Sequence, residues 1–404
     1  MATSVARRNM TPGMIDNFGA AGKARSRKLV RDFILRYYPE RRQRDRLRYV
    51  CLPGPVRNEI EEICDPLGVR HENIFGIEHD RGRFEILSAI NDTFEHGPIQ
   101  LFYGTVWDFF RNNDGPFDVV SLDFSGQLLS EETRKTACLG IIRLGPNGIL
   151  HLNAMATRES GSANMSLDSV SRLLRRELRK AEDLGKTASE SSMLLEKIRR
   201  HGTQLTSELL EDKRSMYRKM DVEELRALVT STLPLELENV IEGYLKDPGI
   251  PYDWHSRYMA VENMRSYVYY NNANHPFVGG LFRFRNTLPD YFWSDKCKLD
   301  VDVIKTFKRG LEERTIDVAT EELVKAFVSS PRNYWEMLGS IDKVEDKHKR
   351  RAFRRFVTEL FFAERELNMN KISLMTGKMD LIRLNEPSRA IARRGANPQP
   401  SASQ

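Results

Sequence analysis

Short continuous apolar runs alternate with amphipathic segments between residues 48 and 157, and this alternation constrains the fold more than any other feature. The runs predicted as strands are RYVCLP (48–53), IFGIEH (74–79), IQLFYG (99–104), FDVVSLD (117–123) and GILHLNAMA (148–156). The segments predicted as helices between them cover residues 56–64, 81–94 and 131–144. Apolar strands separated by helices are typical of a parallel sheet with both faces covered, so we predict an α/β, doubly wound, Rossmann-like domain.

The rest of the chain is predicted to form three regions around this domain. Residues 1–47 are predicted as a basic extension that includes a helix over 21–38. Helical patterns dominate residues 167–384, which we interpret as a second domain that recognises a substrate or partner, with a β-hairpin over 264–286. Residues 385–404 are rich in Pro, Ser, Ala and Arg, and we expect this tail to be disordered.

Cysteine usage and hydropathy exclude several classes of protein. The four cysteines are scattered without a Cys-x-x-Cys pair, which argues against a zinc ribbon or disulfide framework and indicates a reducing, cytoplasmic location. No cluster of His, Cys and Asp has the spacing of metal ligands, so no metal site is predicted. No segment approaches the roughly 20 apolar residues that cross a bilayer, so no membrane contact is predicted.

Residues that can carry chemistry follow four of the predicted strands. Ligands of a doubly wound sheet bind outside the carboxyl ends of its strands, so these positions form the candidate site. Gly54 follows the first strand and permits a close approach of the backbone to a ligand. Glu78 ends the second strand and can accept the hydroxyls of a ribose. Trp107 and Asp108 follow the third strand, where they can stack on a purine and accept from an amine, and Asp123 ends the fourth.

The sequences at these strand ends, YVCLPG, FGIEHD, YGTVWDF and FDVVSLDFSG, resemble those of the class I S-adenosylmethionine-dependent methyltransferases over about residues 45–157. The resemblance implies a seven-stranded, Rossmann-like sheet with adenosylmethionine lying over strands one to four. It implies that Asp123 faces the methyl group, and we predict that this residue is catalytic. The cofactor-binding residues that it implies are Pro53, Gly54, Glu78, His79, Thr105, Val106, Trp107, Asp108 and Phe124.

The chain also departs from the pattern of this family. Its glycine loop contains one glycine between two prolines, and Thr105 stands where an acid often follows the third strand. The signature of amino-group DNA methyltransferases is absent after the fourth strand, and no cysteine follows a proline as cytosine C5 chemistry requires. Two residues have an alternative role. Glu78 could cap the following helix, a role that Asp80 can fill by itself, and Trp107 could be a core side chain.

Positive charge is concentrated before the first strand. Lys and Arg outnumber Asp and Glu by 63 to 57, a net charge of +6. Residues 23–48 contain eleven basic and three acidic residues, so this segment carries +8 and leaves −2 for the rest of the chain. Such a local excess indicates contact with a polyanion, which it would steer toward the crevice; the alternative is a solvated helix face. The predicted nucleic-acid-binding residues are Arg41, Arg42, Arg44 and Arg46.

These features together predict an S-adenosylmethionine-dependent methyltransferase that acts on nucleic acid. The alternative is a methyltransferase-like subunit that has lost catalysis and serves in nucleic-acid binding or assembly, which the unusual glycine loop keeps open. A third hypothesis is that another nucleotide occupies the same crevice. The helical domain is a candidate surface for a homo-oligomer or a larger complex.

Overall fold

The computed structural model describes, apart from single positions between 347 and 374, residues 21–54, 57–93, 96–113, 115–127, 131–155, 259–272, 275–287 and 381–386. Except for those single positions, the helical patterns predicted between 167 and 367 lie outside the described residues. The predicted disordered tail also lies outside them from residue 387 onward.

One mixed sheet of eight strands organises the described chain. The strands are β1 (Tyr49–Cys51), β2 (Ile74–Glu78), β3 (Gln100–Tyr103), β4 (Phe117–Gln127), β5 (Leu144–Met155), β6 (Met259–Tyr270), β7 (Pro276–Asn286) and β8 (Leu381–Arg383). Their order is β3-β2-β1-β4-β5-β7-β6-β8; β1 to β5 pair in parallel, and β7 is antiparallel to both β5 and β6. The predicted α/β class is confirmed, and the sheet is compatible with a Rossmann-like fold.

Helices cover both faces of this sheet. They are α1 (Ala21–Tyr37), α2 (Arg41–Arg44), α3 (Asp65–Leu67), α4 (Arg81–Asn91), α5 (Val106–Asn112) and α6 (Glu131–Ile142). A π-helical segment, Ile60–Cys64, leads into α3, and a short 3₁₀ turn, His71–Asn73, precedes β2. The helices predicted over 21–38, 81–94 and 131–144 are present as α1, α4 and α6, each ending before the predicted boundary.

The first helix, α1, belongs to the sheet domain rather than to a separate extension. Val30, Phe33 and Ile34 are buried at the spacing of one helical face. Pro39 follows the end of the helix and prevents its continuation. α1 packs against β6 and against the π-helical segment, so it lies across one face of the sheet.

The sheet has one apolar core on each face, because successive side chains of a strand point to opposite faces. The core beneath α1 and the π-helical segment includes Tyr49, Val119, Ile149, Tyr267 and Leu281. The core beneath α5 and α6 includes Val50, Val120, Leu150, Phe282 and Phe284. Each such side chain, when fully buried, stabilises the fold by about 1.5–3 kcal/mol.

The aromatic segment predicted as a hairpin forms β6 and β7, which pair antiparallel. At its turn, the amide nitrogen of His275 donates to Asn271 Oδ1 at 2.8 Å. The hairpin, predicted within the helical domain, instead extends the first sheet, because β7 pairs with β5. Its aromatic side chains, including those of Tyr267 and Tyr269, are buried, so the structure places them in the core.

Replacement of Gly279 by alanine should destabilise the fold. A Cβ at Gly279 would overlap the ring of Tyr267, which lies over β7 at this point. We expect Gly279→Ala to lower the free energy of unfolding by about 1–3 kcal/mol in urea denaturation, because the ring has to move within a packed core. Gly82→Ala is the control, since its Cβ would meet only Asp80 Oδ1 at 3.5 Å. Equal stability of the two variants would contradict this packing.

Candidate functional site

The candidate site lies where the carboxyl ends of β1 and β4 meet. In the observed order, β1 has β2 on one side and β4 on the other, so the connections after β1 and β4 leave the sheet in opposite directions. Such a switch in strand order opens a crevice outside the carboxyl ends, where ligands of open α/β sheets bind. The sheet therefore brings Gly54, Glu78 and Asp123 to one edge.

The loop after β1 has an unusual backbone. Gly54 has φ +60° and Arg57 has φ +53°, both in the left-handed region that side chains with a Cβ disfavour. Pro53 is buried, and its Cγ would lie 3.0 Å from a Cβ at Gly76 of β2. Gly54, the single glycine of this loop, therefore stands at a position whose backbone conformation favours glycine. Pro53 packs the loop against β2.

Glu78 is a buried carboxylate at the end of β2. Its residue is 7 % exposed, whereas His79 beside it has a side chain 75 % exposed. The amide nitrogen of Asp80 donates to Glu78 Oε1 at 2.9 Å, and within the described residues Oε2 has no hydrogen-bond partner. Asp80 caps α4 by accepting from the amide of Arg83 at 2.8 Å. The cap of α4 is thus supplied by Asp80, and Glu78 keeps an oxygen for a ligand.

The segment after β3 forms α5, a helix that the sequence patterns did not predict. The amide of Asp108 donates to Thr105 Oγ1 at 3.1 Å, and the amide of Thr105 donates to Asp108 Oδ2 at 3.3 Å. This reciprocal capping box starts the helix, and the Thr-x-x-Asp spacing was the signal for it. Val106 and Trp107 pack against the core, which supports the packing role for Trp107.

Asp123 is paired at the end of β4. Lys23 Nζ from the first turn of α1 lies 2.6 Å from Asp123 Oδ2. Asn153 of β5 donates from Nδ2 to Asp123 Oδ1 at 2.7 Å. Burial acts to raise the pKa of Asp123, but Lys23 and the hydrogen bond from Asn153 outweigh it and leave the pKa below its usual value. Phe124 packs against the core on the other face. No pattern in the sequence predicts either of these polar partners of Asp123.

A buried polar network extends beneath this edge on the α1 face. Tyr49 donates to Glu59 Oε1 at 3.0 Å. His151 hydrogen bonds through Nδ1 with Ser121 Oγ at 2.8 Å and through Nε2 with the hydroxyl of Tyr267 at 2.7 Å. Burial raises the pKa of Glu59 to about 7, and burial lowers the pKa of His151 to about 4, which keeps the imidazole neutral.

The predicted nucleic-acid-binding arginines lie at the opposite edge of the sheet. α2 precedes β1, and the carbonyl of Asp45 accepts from the amide of Arg70 just before β2. The first turn of α1 contacts Asp123, and its 17 residues span about 25 Å before the chain reaches this amino edge. The arginines therefore lie too far from the crevice to direct a polyanion into it.

These arginines differ in exposure. Arg41, Arg42 and Arg46 are exposed, and they form no ion pair within the described part of the chain. Arg44 instead donates to the carbonyls of Leu67 at 3.0 Å and Tyr38 at 3.1 Å, so it holds the chain around α2. Several other cations of the basic segment are also paired, including Lys23 with Asp123, Arg27 with Glu62 and Lys28 with Asp32.

No protein-family model matches this chain, and no curated protein matches it. Among the described residues, no group of three or more His, Cys, Asp or Glu side chains is placed to hold a metal ion. Of the helices that the structure describes, none is both long and apolar enough to span a bilayer. Function is therefore inferred from the residues at the carboxyl edge.

The buried Glu59 should make stability fall as pH rises. Its pKa is about 7 in the folded chain against an ordinary 4.5, so the folded state holds a proton that the unfolded state releases between these values. Gln cannot ionise, so the free energy of unfolding of Glu59→Gln should not fall in this way as pH rises. We expect the variant to gain about 2–3 kcal/mol relative to the native chain between pH 5 and pH 8, measured by urea unfolding.

Glu61→Gln is the matched control for this measurement. Glu61 lies on the same helical segment but is exposed, so its replacement should change stability by the same amount at both pH values. A pH-independent difference between Glu59→Gln and the native chain would show that Glu59 is not protonated in the fold.

Proposed function

We propose that this chain is an S-adenosylmethionine-dependent methyltransferase that binds its cofactor across the carboxyl ends of β1 to β4. The observation that carries this proposal is Glu78, a buried carboxylate with an unpaired oxygen beside the switch in strand order. The order β3-β2-β1-β4-β5 is that of a Rossmann-like sheet. The seven strands β1 to β7 that share this sheet agree with the resemblance to the class I family.

Each residue of the edge has a role in this proposal. Gly54 presents a backbone without a Cβ to the methionine part of the cofactor, and Glu78 accepts the ribose hydroxyls. His79 lies exposed at the mouth, and the first turn of α5, with Thr105 and Asp108 as its cap, borders the adenine. Bound there, adenosylmethionine would supply an electrophilic methyl group, and Asp123 would hold the acceptor.

Replacement of Glu78 by glutamine should weaken the binding of adenosylmethionine. The variant keeps the shape of the side chain but loses charge-assisted hydrogen bonds to the ribose, which we expect to reduce affinity about 10–100-fold in calorimetry. Gly54→Arg should abolish binding, because its side chain would enter the crevice from a left-handed backbone position.

Glu72→Gln is the control, since Glu72 is an exposed acid at the amino end of the same strand. Its affinity for adenosylmethionine should equal that of the native chain. No binding by the native chain at millimolar ligand would refute the proposal. In that case, mass spectrometry of any co-purified molecule would test for another nucleotide in the crevice.

Nucleic acid is the partner that we propose for the exposed arginines Arg41, Arg42 and Arg46. The triple change to glutamate should weaken RNA binding and make the slope of log affinity against log salt shallower by about 2–3, because three phosphate contacts are lost. Lys28→Glu on α1 is the control, since it changes an exposed cation away from α2. Unchanged retention of the triple variant on RNA would refute this partner.

The second candidate function is a methyltransferase-like subunit without catalysis. The observation that favours it is the pairing of Asp123 with Lys23 and Asn153, which leaves the predicted catalytic acid already neutralised. Absence of adenosylmethionine binding in calorimetry would favour this subunit over the enzyme, because a methyltransferase has to bind its cofactor.

A further inference from the structure

Three polar side chains meet where β4, β5 and β6 approach their carboxyl ends. Asn153 donates from Nδ2 to Asp123 Oδ1 at 2.7 Å and to the hydroxyl of Tyr269 at 2.9 Å. We call Asp123, Asn153 and Tyr269 the β4–β6 polar cluster. It adjoins the proposed cofactor edge through Asp123, which lies on β4, the strand next to β1.

The ammonium group of Lys23 forms an ion pair with Asp123 of this cluster. Its Nζ lies 2.6 Å from Asp123 Oδ2, with side chains only 14 % and 18 % exposed. Gly22 allows this approach, because a Cβ there would lie 2.9 Å from Cδ2 of Tyr269. The first turn of α1 therefore passes against the ring of Tyr269 and delivers a primary amine to the acid.

The lining of the cluster is rich in hydrogen-bond acceptors. The carboxylate of Asp123 only accepts hydrogen bonds. Among the residues that the structure describes, Asn153 Oδ1 has no hydrogen-bond partner, although the residue is only 2 % exposed. A primary ammonium group has three N–H donors and no acceptor. A buried acceptor without a partner, beside an acid that already holds an amine, indicates a site built for a group with several donors.

We propose that the β4–β6 polar cluster is an acceptor subsite for the primary amine of a lysyl side chain, and that Lys23 occupies it as an internal stand-in. The transfer step rests on the proposed function, whereas the amine binding does not. The bound ammonium group would first give one proton to Asp123, which passes it on to water. The neutral amine nitrogen would then form the new bond to the methyl carbon while the carbon–sulfur bond of adenosylmethionine breaks, its electron pair staying on sulfur, and the nitrogen would carry the positive charge as a methylammonium group.

A lysyl amine fits this cluster better than a nucleobase does. A base edge places a ring acceptor beside its amino group, as adenine does with N7 and N6, and would need the Tyr269 hydroxyl as its donor, whereas an ammonium group uses the acceptors Asp123 and Asn153 Oδ1 directly. The ring of Tyr269 is also engaged, since it stacks on Phe277 at 5.1 Å with an interplanar angle of 6°. The exposed arginines of α2 lie at the opposite edge.

The binding half of this proposal is tested with the full chain carrying Lys23→Ala and with n-butylamine as the probe. Removal of the lysine side chain leaves the cluster open to an alkylammonium ion. We expect n-butylamine to raise the melting temperature of Lys23→Ala, because a ligand that binds the folded state stabilises it. The native chain should show no rise, since Lys23 fills the site.

Two controls make the result specific. The double variant Lys23→Ala/Asp123→Asn should bind n-butylamine about tenfold more weakly or worse, because a charge-assisted hydrogen bond is lost. n-Butanol should give no rise in melting temperature, and an equal rise with n-butanol would overturn the proposal. If Lys23→Ala does not fold, Lys23→Met, which keeps the apolar stem and vacates only the place of Nζ, is tested with ammonium chloride in place of n-butylamine and with sodium chloride as its control.

The transfer half is tested with radiolabelled adenosylmethionine and two acceptors, poly-L-lysine and RNA. We expect label in poly-L-lysine, with more label from Lys23→Ala than from the native chain, because the stand-in no longer competes. Label in RNA alone would overturn the lysyl assignment. Cofactor binding by calorimetry without label in either acceptor would also overturn it. Absence of cofactor binding would refute the proposed function instead, and the n-butylamine result would still decide the subsite.

Discussion

The pairing of β1 between β2 and β4 is the constraint on which the rest of this structure depends. β1 is only three residues long, yet each of its residues is buried and it is bonded in parallel on both sides. The chain leaves this strand toward β2 and β3 and returns on the other side as β4 and β5. That reversal opens the crevice and places Gly54, Glu78 and Asp123 on one edge.

Polar groups within the sheet are the second determinant of the site. Ser121 and Asp123 on β4, and His151 and Asn153 on β5, occupy alternate positions on one face of strands that are otherwise apolar. Burial of these groups is unfavourable unless they are hydrogen bonded, and each bonds to a neighbour on an adjacent strand or to α1. α1 is therefore part of the site, because Lys23 in its first turn completes the pairing of Asp123.

Local patterns predicted the parts of the fold that depend on local physics. The apolar runs predicted the strands from β1 to β5, because side chains buried on both faces must be apolar wherever the strand pairs. The helix α5 was not predicted, because Thr105 to Asp108 were considered only as cofactor contacts, although Thr105 and Asp108 form a capping box. The hairpin was predicted, but its placement required knowledge of β7 pairing with β5, which no local pattern contains.

The sequence by itself determined which residues could meet at the carboxyl edge, since Gly54, Glu78 and Asp123 each follow an apolar run. Tertiary structure alone decided how these residues are engaged. Lys23 reaches Asp123 across 100 positions of sequence, and the exposed arginines of α2 lie at the far edge although they directly precede β1. The physical reason is that a helix about 25 Å long carries the chain from one edge of the sheet to the other, and sequence proximity does not record that distance.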